Sequence, residues 1–201
     1  MIINHQNTPN FKAKFIGSTP IQKLNPKGKY EKFEAAFLEF DPANKKDFNA
    51  LKDISRYWYN SQYANDICEC AKALALKFVD ATKNKVYILT KQNKKFEKLN
   101  FQDILGLTEI ELRKNKNDID IINIHRIQVD EELLNTIRPE FDHVGTGILN
   151  MIKEKYNKII ELNSVHSAIG FYENNGFQDL GTKDLRFRWT PETKWTKNAN
   201  Q

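Results

Sequence analysis

The sequence has no apolar run approaching the roughly 20 residues that a bilayer-crossing helix needs, so no membrane span is expected. Residues 1–15 (MIINHQNTPNFKAKF) lack an apolar segment and a small-residue cleavage site, and so do not look like a secretory leader. Cysteine is scarce: there are two in 201 residues, Cys68 and Cys70, with one residue between them. On a helix they point roughly 200° apart, which suits neither a disulfide nor a zinc knuckle. Reduced thiols, no metal and a cytoplasmic protein are expected. Internal repeats and low-complexity linkers are also absent.

Lysine is plentiful and supplies most of a formal net charge of +5. Such a balance suits either a solvated surface or a polyanionic partner. No interleaving of arginine with aromatics supports a nucleic-acid interface, so the solvated surface is the simpler expectation. A monomer or a homodimer fits equally.

Hydrophobic spacing organises the chain. Residues 1–30 are polar, carry Pro9, Pro20 and Pro26, and predict an extension with little regular structure. Residues 31–190 predict one domain, followed by a tail over 191–201. Lys32–Asp41 alternates as a strand does. Phe48, Leu51, Ile54 and Trp58 predict a helix over Lys46–Tyr59, and Ile67, Ala71, Leu74, Ala75 and Phe78 a second over Ala64–Val79. The aromatics Tyr57, Trp58, Tyr59 and Tyr63 belong either to the core or to an acceptor pocket. Strands are predicted at Val86–Thr90, Ile104–Leu112 and Asp120–Asp130, the last segment extending through Leu133–Thr136. A helix at Gly147–Tyr156, a strand at Lys158–Leu162, a helix at Ser167–Asn174 and a final strand pair at Phe177–Leu180 and Leu185–Trp189 follow. This order predicts an α/β (α+β) domain with a mixed, mostly antiparallel central sheet flanked by helices.

Two segments carry the chemistry. Asp142-His143-Val144-Gly145-Thr146-Gly147 leads into a helix. Glycines there let backbone amides approach a ligand, and a helix N-terminus attracts phosphate. In Ser167–Phe177 a short helix stops at Asn174-Asn175-Gly176, where Gly176 suits a left-handed cap, and passes to a strand starting at Phe177.

The string AIGFYENNGF resembles the A-x-x-F-Y-E-x-x-G-F signature of the GNAT acetyltransferase superfamily. DHVGTG, some thirty residues upstream, resembles that family's Q/R-x-x-G-x-G/A pyrophosphate loop. The pair covers Ile121–Leu180, and residues 32–112 agree with the family in element order. The resemblance implies a GNAT-like fold, acetyl-CoA as co-substrate and transfer of its acetyl group to an unidentified amine. A catalytically silent GNAT-fold module that binds acyl-CoA or a protein partner is the alternative. Asp142 stands where the family has Arg or Gln, and Val165 where many members have Asn. Arg138 or Lys153 would offset the first departure, and Asn163 or Ser164 would replace the second.

Residue roles follow from the same resemblance. Backbone groups of Ile127, Gln128 and Val129 would hold the pantetheine and the oxyanion. Amides of Val144, Gly145, Thr146 and Gly147 would hold the pyrophosphate, with Asn163 and Phe171 completing the cofactor site. Tyr172 would protonate the leaving sulfur. For the base, Glu109, His125 and water-mediated proton loss stay open; Glu109 shares a strand face with Glu111.

Overall fold

A computed structural model describes residues 13–58, 61–91 and 99–192. Nine strands form one sheet: β1 (Lys14–Leu24), β2 (Tyr30–Glu39), β3 (Asn84–Thr90), β4 (Ile104–Lys114), β5 (Asp120–Val129), β6 (Phe141–Asp142), β7 (Ile159–Asn163), β8 (Gln178–Asp179) and β9 (Arg186–Trp189). Their order is β6-β1-β2-β3-β4-β5-β7-β9-β8. Every neighbouring pair is antiparallel except β5–β7, which is parallel. The helices are α1 (Lys45–Tyr57), α2 (Gln62–Ala75), α3 (Glu131–Asn135), α4 (Val144–Tyr156) and α5 (Ile169–Asn174).

Alternation along the strands splits the core into two layers. Ala36, Leu38, Val86, Ile88 and Leu107 face Leu51, Ile54, Ile67 and Ala71 of α1 and α2. Phe37, Tyr87, Leu89, Ile110, Ile122 and Ile124 face Ile148, Leu149 and Ile152 of α4, with Tyr172 of α5. Successive strand residues point to opposite faces, so each central strand feeds both layers. Ser61 starts α2 by accepting a hydrogen bond from the Ala64 amide at 3.1 Å. Among the described residues, no helix is long and apolar enough to cross a membrane.

Three local expectations need correction. Lys14–Leu24 lies within the stretch predicted as an extension, yet it is an 11-residue strand along β2. Pro20 is tolerated because β6 touches the far edge of β1 only at Gln22 and Lys23, leaving no ladder bond for Pro20 to forfeit there. Thr19 and Ile21 are buried, and Gly147 of α4 packs directly on both. Residues 131–135 form α3 rather than continuing the strand, since Asp130 turns the chain and accepts a hydrogen bond from the Glu132 amide at 3.1 Å. α4 begins at Val144, three residues before the predicted start. Residues 1–12 of the predicted extension, Tyr59 and 193–201 of the predicted tail lie outside the described residues.

Asp47 in the first turn of α1 is 2% exposed, and its Oδ2 has no hydrogen-bond partner among the described residues. Burial, then the charge of Asp41, pushes its pKa to about 6 despite hydrogen bonds from Asn44 and the Ala13 and Asp41 amides. A folded pKa above the unfolded one gives stability that is complete below the unfolded value and is lost as pH rises to about 6. Unfolding free energy should therefore fall by about 2 kcal/mol between pH 4 and pH 7 on account of this group. Urea titrations at both pH values should show that contribution in wild type and its disappearance in Asp47→Asn.

Candidate active site

β5 lies between two neighbours of unequal reach. It pairs with β4 as far as Val129, but with β7 only over Ile121–Ile124. Beyond Ile124 the two parallel strands part. The Asp130 amide donates to the Leu105 carbonyl at 3.0 Å across the Gly106–Val129 pair. That makes Gly106–Val129 a non-hydrogen-bonded pair of the ladder, so the polar backbone of Ile127 and Val129 turns toward the open edge. The Gln128 side chain donates from Nε2 to the Val129 carbonyl at 2.7 Å. The Val129 amide and both polar groups of Ile127 are left facing the gap.

The start of α4 closes one end of this gap. His143, the N-cap, has φ 62° and offers no side-chain cap bond. The Gly147 amide already donates to the His143 carbonyl at 2.9 Å, so the free first-turn amides are those of Val144, Gly145 and Thr146. They carry the positive end of the helix dipole. Asp142 precedes them, and its Oδ1 accepts from the His143 amide at 2.6 Å. Its Oδ2 lies 3.3 Å from His143 Nδ1.

α5 forms the opposite wall. Gly176 stops it with φ 76°, donating to the Glu173 carbonyl at 2.8 Å while the Phe177 amide reaches Tyr172 at 3.0 Å. Tyr172 is 9% exposed and packs against Phe171, Phe177 and Phe187. Burial, then nearby Tyr63, pushes its pKa to about 12, so the phenol keeps its proton at neutral pH.

These walls enclose a cavity of about 740 Å³. Of the sequence candidates it brings together Ile127, Gln128, Val129, Val144, Gly145, Thr146, Phe171 and Tyr172. Four others lie elsewhere. Gly147 packs on Ile21 and Thr19 beneath α4. Glu109 is buried and held 2.6 Å from Arg126 Nη1, whose Nε bonds Asp66 at 3.0 Å. His125 sits on the sheet surface, 3.4 Å from Glu111. Asn163 donates to Asp184 Oδ2 at 3.0 Å. The residues expected to compensate are also elsewhere: Arg138 donates to the Gly28 carbonyl, Lys153 to the Asn175 carbonyl at 2.6 Å, and Ser164 to the Val165 carbonyl. Among the described residues, neither lysine nor arginine lines the cavity.

Sequence reasoning missed some of the lining. Leu133 and Leu134 of α3 contribute, but their apolar pair looks like strand. The aromatic stripe divides: Trp58 is core, Tyr57 stacks on Phe101, and Tyr63 lines the cavity. Cys68 is buried, with its thiol on the Leu51 carbonyl at 3.1 Å. No group of His, Cys, Asp and Glu among the described residues is placed to hold a metal ion.

Gly145 joins the two walls. A Cβ there would lie 2.9 Å from Phe171 Cζ and 3.2 Å from Cε2. A ring has no soft end to yield, so Gly145→Ala should displace Phe171 and cost about 1–3 kcal/mol in overpacking. Urea denaturation should show that loss, and any ligand of the cavity should bind at least tenfold more weakly by calorimetry.

No family model matches the sequence, and neither does any curated protein. Solved structures do match. AtaTR bound with acetyl-CoA aligns with TM-score 0.53 at 14% identity, over 77% of this chain and 92% of that one. A protein of Desulfovibrio desulfuricans described within the GNAT family of acetyltransferases aligns with TM-score 0.53 at 10% identity, over 78% and 98%. The chain has the mixed α/β fold of the GNAT acetyltransferases.

Proposed function

We propose that this chain, with its GNAT fold, binds acetyl-CoA in the cavity between β5, α4 and α5 and transfers the acetyl group to an amine. One observation carries the proposal: a single cavity is lined by the open backbone edge of β5, the free amides of α4 and the protonated Tyr172. Ile127 and Val129 would pair with the amide groups of the pantetheine arm as a neighbouring strand does. The Val144–Thr146 amides suit a pyrophosphate. Among the described residues no lysine or arginine lines this cavity, and the proposed affinity draws on these amides and the helix dipole.

The reaction makes a nitrogen–carbon bond and breaks a carbon–sulfur bond. A β5 amide would stabilise the charge developing on the carbonyl oxygen. Tyr172 would give its proton to the departing thiolate and regain one from solvent. Glu109 is committed to Arg126 and His125 lies off the cavity, so the attacking ammonium would lose its proton through water. A second reading, an acyl-CoA-binding module without turnover, is favoured by the Asp142 carboxylate beside the proposed phosphate amides. Thiol release from acetyl-CoA over an amine panel separates the two. Turnover above blank supports transfer; binding without turnover supports the silent module.

A further inference from the structure

Part of one sheet face is left bare by the described helices. Ile160 and Leu162 of β7 and Phe187 of β9 turn to the α4 layer. Glu161, Arg186 and Arg188 alternate with them and so turn the other way. The α1–α2 layer on that side includes no described residue of β7, β8 or β9. Arg113 of β4 reaches past β5 to the same place.

Three guanidinium groups converge there on a single carboxylate. Arg188 donates to Glu161 Oε1 from Nε at 3.1 Å and from Nη2 at 2.6 Å. Arg186 and Arg113 donate to Oε2 from Nη2 at 2.6 and 3.4 Å. Glu161 is buried, and the arginine hydrogen bonds keep it ionised against the cost of burial. Three positive charges against one negative leave the group at +2.

Only the carboxylate is buried. Each arginine is about two-fifths exposed. A guanidinium carries five N–H donors in a planar fork, and Nη1 of all three has no hydrogen-bond partner among the described residues. Glu161 has already ordered these side chains, so a ligand would lose little affinity to fixing them.

Charge and size select the ligand. A phosphate monoester carries nearly two negative charges at neutral pH and three acceptor oxygens, which match a +2 group of three guanidiniums. The borders are negative: Glu111 lies 3.4 Å from His125, and Asp184, bonded by Asn163, has its charge near Arg186. These carboxylates would repel a long polyanion, whose binding needs an extended track of cations. A compact dianion fits better than a nucleic-acid strand.

We propose that Arg113, Arg186 and Arg188, set in place by Glu161, form a binding site for a phosphate monoester. It shares no lining residue with the cavity between β5, α4 and α5.

The test is calorimetric titration of phenyl phosphate against benzenesulfonate, which has the same ring and a tetrahedral head with one charge. At constant ionic strength, above the second ionisation of the phosphate, phenyl phosphate is expected to bind about tenfold more tightly. Arg113→Gln, which removes the longest contact to Glu161, and Arg186→Gln should each bring the ratio toward one. In wild type the side-chain Nε–Hε NMR signals of all three arginines should shift during the titration, a readout that needs no variant to fold. Inorganic phosphate, a nucleoside 5′-monophosphate and a phosphoserine peptide, titrated in the same way, separate the sources of the group, and the tightest of them names it. Equal affinity for phenyl phosphate and benzenesulfonate, no shift of the arginine signals, or a ratio unchanged in both variants, as for a phosphate held by the α4 amides, overturns the proposal.

Discussion

Tyr172→Phe is expected to lower kcat for acetyl transfer by about 10²–10³-fold, with acetyl-CoA affinity and thermal stability close to wild type. The substitution keeps the ring that packs on Phe171, Phe177 and Phe187 and removes one oxygen, which has no hydrogen-bond partner among the described residues. Folding therefore has little to lose, while the leaving thiolate loses its proton donor. The pH profile gives an independent check. Burial and Tyr63 raise this phenol to about 12, so the donor form persists across the whole working range. Rate should climb as the amine deprotonates and should not decline before about pH 11. Stopped-flow thiol detection from pH 6 to pH 10.5 measures both. Full activity in Tyr172→Phe would remove the phenol from the chemistry.

The largest stability effect is expected at Glu161. This β7 carboxylate is 1% exposed, yet two strands, β4 and β9, aim three guanidinium groups at it. Arg188 reaches Oε1 from Nε at 3.1 Å and Nη2 at 2.6 Å. Arg186 reaches Oε2 at 2.6 Å and Arg113 at 3.4 Å. Glu161→Ala leaves three cations around a space with no counter-charge. Breaking such a buried set costs about 3–5 kcal/mol. The arginines are each roughly two-fifths exposed, so water recovers part, and about 3 kcal/mol is expected. For a chain of this length that lowers Tm by about 6–12 °C. Burial pushes the Glu161 pKa up, but the Arg188 and Arg186 hydrogen bonds outweigh it and hold it below the ordinary carboxylate value. A depressed folded pKa gives stability that is present above the unfolded value and lost as pH falls. The gap between wild type and Glu161→Ala should therefore narrow in acid, which thermal melts at pH 7 and pH 3 would reveal.

Much of the fold is legible in the chain because its signals are local. Ile122 and Ile124 alternate with Asn123 and His125, α1 and α2 carry their apolar residues at helical spacing, and Gly176 marks the α5 corner. β1 is not legible. Its polar composition and Pro20 speak against a strand, and it is held by β2 and by α4, the latter more than a hundred residues away. β6 pairs through only two residues, too few for any periodic pattern. Leu133 and Leu134 resemble a strand until the Asp130 cap is taken into account.

The site divides in the same way. The Val144–Thr146 loop and Phe171–Tyr172 stand out because glycine and a helix start leave marks in sequence, and because they resemble a known signature. Glu109, His125 and Asn163 are chemically suitable residues whose partners sit on other elements: Arg126, Glu111 and Asp184. Nothing local indicates that these side chains are already engaged. Gln128 is the converse. Its backbone is a candidate through the family resemblance, but the side-chain hydrogen bond to the Val129 carbonyl appears only in the structure.

Acetyl-CoA binding can be measured most directly by calorimetric titration of wild type and Gly145→Ala, with melting curves at millimolar ligand alongside. Saturable one-to-one binding is expected, with a Tm rise of a few degrees because only the folded chain binds, and with affinity at least tenfold weaker in Gly145→Ala. No heat of binding and no Tm shift at millimolar acetyl-CoA would contradict the proposed use of the cavity between β5, α4 and α5.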